Sequence, residues 1–133
     1  MKKIYYCASS QKDIGTFTNK PRQRIARLLD MLAEGLELQP NDFKYMGTIG
    51  TGVYELRVKA DKQNYRVFYV AKFEEAIYVL HGFIKKTQET PQQDIDRGKE
   101  RYNALLRHRK ATASDVDIEG ATSALASLTP QAV

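Results

Sequence analysis

Two arginines lie on neighbouring strand-like segments, Arg57 in "VYELRVKA" (53–60) and Arg66 in "YRVFYVA" (65–71). Period-two alternation puts Tyr54, Leu56 and Val58 on one face of the first segment and Glu55, Arg57 and Lys59 on the other. On the second segment, Arg66 shares a face with Phe68 and Val70. A guanidinium on each of two adjacent strands is costly to bury without an anion. Two readings are open. In one, the arginines pair with Glu55, Asp61 or Glu74; in the other, both reach a phosphate in a shallow groove on the open sheet face, where Arg grips bidentately. A third segment, "VLHGFIKKTQETP" (79–91), runs from apolar residues into Lys85 and Lys86. Lysines at a strand end serve as solvated gatekeepers. The aromatics Phe68, Tyr69, Tyr78 and Phe83 on the same segments suggest more: cations interleaved with aromatics supply the phosphate contact and stacking face that single-stranded RNA needs. Individually, such rings are more often core than stacking platforms.

Other chemistries find little support. His81 and His108 are the only histidines and Cys7 the only cysteine, with no metal-ligand spacing among them, so no metal or other cofactor is expected. Cys7 reads as a small buried side chain. "GTIGTG" (47–52) lacks the spacing of a phosphate-cradling loop and leads into a strand. No nucleophile-elbow motif occurs; Glu74 and Glu75 fall in a turn, and Glu55 stands alone on its strand.

The elements around these segments are readable. "KIYYCAS" (3–9) reads as a first strand and "QKDIGTF" as a short helix. "TNKPRQRIARLLDMLAEG" has Pro21 in its first turn, apolar Ile25, Leu28, Leu29, Leu32 and the following Leu36 near helical spacing, Gly35 at its end, and Arg22, Arg24 and Arg27 on its outer face. Residues 37–52 show no period. The turns "DKQN" and "KFEE" are short enough to make the next three strands an antiparallel meander. "TPQQDIDRGKERYNALL" reads as a closing helix that opens on Thr90 and Pro91. The order predicts an α+β domain over residues 1–110: a small, mostly antiparallel four-stranded sheet packed by an N-terminal helix pair and a C-terminal helix. Residues 111–133 read as a flexible acidic tail, with a short helical piece possible around Thr122–Leu128.

A chain of 133 residues that is 42% apolar suits one domain with a real core. No apolar run suggests a membrane span or signal peptide, and one cysteine suits the reducing cytoplasm. All 21 Lys and Arg fall within residues 1–110 together with 13 of the 16 acids, a net charge of +8; the other three acids give the tail −3. Such a domain suits a polyanionic partner, nucleic acid first.

The strings "GVYELRV", "YRVFYV" and "LHGFIKKTQETPQQDI" resemble the RelE/ParE superfamily of bacterial type II toxins, and within it the phage-derived, HigB-like group. The resemblance spans residues 1–108 and is most specific over 81–91; Glu89 stands where many members carry lysine. It implies a RelE-like fold and a cytoplasmic, metal-independent endoribonuclease that cleaves mRNA on the ribosome and is silenced by a helix-turn-helix, HigA-like antitoxin. In that chemistry a 2′-OH attacks the adjacent phosphate, leaving a 2′,3′-cyclic phosphate and a 5′-OH. The implied catalytic set is Arg57 and Arg66 for phosphorane charge, with His81 and Lys86 for proton transfer. Lys59, Tyr69, Phe83 and Lys85 are the implied substrate contacts. His81 also reads as a core histidine on a face with Ile77, Val79 and Phe83. Two alternatives stay open: a ParE-like gyrase inhibitor without nuclease activity, and a non-catalytic homologue that binds RNA or antitoxin.

Overall fold

The computed structural model describes residues 1–113 and 128–131. In chain order the elements are β1 (Lys3–Cys7), α1 (Ser10–Gly15), α2 (Asn19–Ala33), a 3₁₀ turn (Pro40–Asp42), β2 (Phe43–Tyr45), β3 (Val53–Ala60), β4 (Gln63–Val70), β5 (Ala76–Lys85), α3 (Gln92–Ala113) and β6 (Leu128–Gln131). The expected α+β class, helix pair, meander and closing helix are all present. The sheet, however, has six strands in the order β2-β3-β4-β5-β1-β6, where four were expected. The two additional strands are short edges. β2 has three residues, too few to show a period, and β6 contains Pro130, which only an edge strand accommodates readily.

The meander forms because its turns are tight. Asp61 and Lys62 both have positive φ (52° and 65°), the requirement of a type I′ turn, whose twist matches the strands it joins. β4 and β5 are likewise antiparallel, while β1 lies parallel to β5 on the far side and antiparallel to β6. Residues 111–113 of the expected tail continue α3, and Leu128–Gln131 pair with Ile4–Cys7. The expected helical piece at Thr122–Leu128 lies outside the described residues except for Leu128, which opens β6.

Each face of the sheet has its own core. On one, α2 buries Ile25, Leu28 and Leu29 against Leu56, Val58, Val67 and Tyr69, joined by Ile14 and Phe17. Full burial of each such side chain contributes about 1.5–3 kcal/mol. On the other face, Tyr102 and Leu105 of α3 pack against Val53, Phe68, Val70, Tyr78 and Leu80. The glycine-rich segment before β3 is pinned by that second core: Ile49 is buried, and the Tyr102 hydroxyl donates to the Thr51 carbonyl at 2.7 Å. A side chain at Gly50 would meet the Tyr102 ring at 2.4 Å, so glycine there permits a close approach.

Candidate nucleic-acid interface

The strand register builds the site. Arg57 lies opposite Arg66, and Arg66 opposite Phe83; Lys59 lies opposite Asn64, and Asn64 opposite Lys85. Lys44 faces Glu55, which faces Phe68, which faces His81. These three rungs lie on the side of the sheet that α3 covers in part. Helix α3 comes down over Phe68, where a side chain at Gly98 would meet the Phe68 ring at 3.0 Å.

Glu55 is the organising residue. Only 2% of it is exposed, with Oε1 3.4 Å from Arg66 Nε and 3.8 Å from Arg57 Nε. Its second oxygen, Oε2, has no hydrogen-bond partner, nor has Arg66 Nε. Arg66 also donates from one terminal nitrogen to the Tyr65 carbonyl at 3.2 Å. The Arg66 side chain is 8% exposed and that of Arg57 38%, so one guanidinium lies beneath the surface and the other reaches solvent. Burial pushes the Glu55 carboxyl up, against the pull of Arg66, Lys85, Arg57 and Lys44. Desolvation, with Arg66, Arg57 and Lys44 nearby, holds the Lys85 ammonium below the usual lysine range, against Glu55. The ion-pair reading of the arginines is thus realised through Glu55, and the two guanidiniums still converge on one open face. Their shared use of Glu55 went unseen in the sequence, although alternation put Glu55 on the face of Arg57.

The other sequence-derived site residues divide. Lys59 and Lys85 join the arginines, Lys59 exposed and Lys85 half-buried, and Lys86 is exposed just past the end of β5. Phe83 shares the face but is buried and stacks on His81 at 5.2 Å. Tyr69 does not join them. It is buried on the opposite face against Tyr54, at 6.0 Å, because it stands three positions after Arg66, an odd offset, and alternation turns it away.

His81 is buried, as the core reading had it, but on a different face from the one expected. A bulge shifts the β4–β5 register so that Phe68 faces His81 while Tyr69 faces Val79, leaving Leu80 over. Leu80 and His81 therefore both turn toward the α3 side, and His81 parts from Ile77 and Val79, which belong to the α2 side. Only 3% of His81 is exposed. Its Nε2 sits 2.7 Å from Asp94 Oδ1 and its Nδ1 3.4 Å from an Arg101 nitrogen. Arg101, absent from the sequence reading, also donates to the Leu80 carbonyl and to Ser9 Oγ, both at 2.8 Å, and lies 3.7 Å from Asp13. A guanidinium donating to Nδ1 requires the neutral ring, with Nε2–H donating to Asp94. Burial accordingly lowers the His81 pKa, although Asp94 pulls the other way.

This makes His81 a source of acid sensitivity. With the folded-state pKa below the ordinary 6.5, the unfolded chain takes up the proton first. Stability is then fully present above about pH 6.5 and is lost as the pH falls from there through the folded pKa. Thermal melts should show the midpoint dropping over that interval. His81→Gln, whose amide can donate to Asp94 and accept from Arg101 without titrating, should flatten the drop. Equal slopes in both proteins would locate the acid sensitivity elsewhere.

Among the described residues no group of three or more His, Cys, Asp or Glu is placed to hold a metal ion, and no helix is long and apolar enough to cross a membrane. The molecule is an α+β domain with a cationic meander face half covered by its last helix. Residues 12–103, more than two thirds of the chain, match the family model "Phage derived protein Gp49-like (DUF891)", and the chain belongs to that family. This is a family of RelE/ParE-like toxins of toxin–antitoxin systems, which implies an antitoxin as partner. The chain matches no curated protein.

Proposed function

We propose that the protein is a HigB-like endoribonuclease toxin that cuts mRNA on the ribosome without a metal and is neutralised by a helix-turn-helix antitoxin. The observation that carries this reading is the convergence of Arg57, Arg66 and Lys85 on one open sheet face around the buried Glu55. Cleavage by 2′-OH attack requires the scissile phosphate to be held in line and its added negative charge to be stabilised. Arg57 reaches solvent and grips the phosphate. Arg66, steadied by Glu55, supplies a second positive charge from below. Lys59 and Lys86 flank the strand as backbone contacts. The attacking 2′-OH gives its proton to solvent water. Lys85, with its lowered pKa, hands a proton to the departing 5′-oxygen, and the 2′,3′-cyclic phosphate remains on the upstream fragment. His81 acts as a positioning residue that ties β5 to α3.

The test is induced expression without antitoxin, with mapping of RNA ends. New 5′-OH ends in transcripts, coincident with growth arrest, are expected. Arrest with intact transcripts, normal translation and altered DNA supercoiling would replace this reading with gyrase inhibition.

A further inference from the structure

Beside the cationic face runs a groove of about 850 Å³ between α2 and β3. Its strand wall is the outer edge of β3 from Arg57 to Ala60; β2 pairs only with Tyr54–Leu56, so no described strand covers this stretch. Its helix wall carries Lys20, Arg24 and Arg27, at i, i+4 and i+7 along one side of α2. At 1.5 Å rise per residue these cations stand about 6 and 4.5 Å apart along the helix. Arg57 lines the groove and also belongs to the rung with Arg66, so the two sites are continuous. Asp30 and Asp42 are the groove's only carboxylates, and Asp42 is taken by Arg24 at 3.2 Å. Among the described residues no carboxylate lies within ion-pair distance of Lys20, Arg27 or Lys59.

We infer that this groove is a second RNA-binding track, which takes the sugar–phosphate backbone leaving the Arg57–Arg66 face and holds it between Lys20 and Arg27 on the helix and Lys59 on the strand. The inference rests on the nuclease reading above and extends the site to an element that reading does not use. An extended acidic peptide would satisfy the charges and could add to the free strand edge. It would also need pockets for alternate side chains, and the apolar lining here is only Ala26, Val58 and Ala60. A phosphodiester backbone needs only spaced cations. The strand leaving the sheet face is single-stranded RNA; ribosomal RNA presents the same backbone, and the experiment separates the two.

Full-length protein carrying Lys20→Ala and Arg27→Ala is compared with wild type and with Lys99→Ala/Arg107→Ala, which removes equal charge from the exposed side of α3. The probes are a 2′-O-methyl oligonucleotide of about 12 nucleotides, long enough for a strand-tracking groove, and purified ribosomes. Losing two phosphate contacts should reduce the salt slope of single-strand binding by about 1.4, so the groove variant's deficit shrinks about seven-fold between 50 and 200 mM salt. The α3 variant should keep the wild-type slope. A deficit on the oligonucleotide assigns the groove to single-stranded RNA, and one on ribosomes alone assigns it to ribosomal RNA. Wild-type slopes on both probes overturn the groove and leave the sheet face standing; loss of polyglutamate binding alone would make it a peptide surface. If wild type binds neither probe and cuts no transcript, the nuclease reading falls as well.

Discussion

Arg66→Ala should lower RNA cleavage by about 10²–10³-fold, the cost of losing one preorganised donor to a developing negative charge. Because its side chain is buried against Glu55, the same substitution should also destabilise the fold. Breaking a buried pair leaves a charge without its partner, at about 3–5 kcal/mol, and Arg57 at 3.8 Å offsets part of that. The two effects are separable. Adding Glu55→Gln removes the stranded charge, so the double variant should recover most of the lost stability in urea melts and none of the activity. Recovery of cleavage along with stability would show that Arg66 acts only by holding the sheet together. Full activity in Arg66→Ala at equal protein level would remove it from the site.

Arg101→Met should cost about 2–4 kcal/mol, since hydrogen bonds from a charged donor contribute about 1.5–3 kcal/mol each and neighbouring losses are not additive. One guanidinium joins the loop before α1 through Ser9, the backbone of β5 through Leu80, and the His81 ring. Lysine presents a compact ammonium in place of a planar fork, so Arg101→Lys should recover less than half of the loss. Urea midpoints check both variants. If Arg101→Met melts like wild type, the anchoring of α3 lies in Tyr102, Leu105 and contacts such as His81–Asp94.

Much of this geometry was legible because it depends on local rules. Short turns between β3, β4 and β5 force neighbours to run antiparallel, and alternation then places Arg57, Arg66 and Lys59 on one face. The same rule turns Tyr69 to the other face, although its aromatic character suggested a stacking platform. What stayed hidden depends on pairing. The bulge at Leu80 redirects His81, and nothing in "YVLHGF" marks it, since a bulge is defined by the partner strand. Arg101 carried no signal of its own, since its value comes from facing Leu80 and Ser9, far away in the chain. Glu55 was readable as a partner of Arg57, two residues along the same strand, but Arg66 needed the register to reach it as well. β2 and β6 were missed because short edge strands carry little hydrophobic pattern.

The parallel pairing of β1 with β5 also bears on the order in which the molecule assembles. Arg57 faces Arg66 across one tight turn, and such hairpins close in about 1–10 μs. Lys3 faces Ala76, a contact that must wait for most of the chain and whose loop-closure entropy makes it slow. Arg101 and Tyr102 are made later still, about 1–3 s after Lys85 at translation rates of 5–20 residues per second. During synthesis the charged meander can therefore form first, with one side uncovered and Glu55 still near water. The helix that dries the neighbouring rung and locks His81 arrives afterwards, so the finished electrostatics of the face belong only to a chain whose last third has been made.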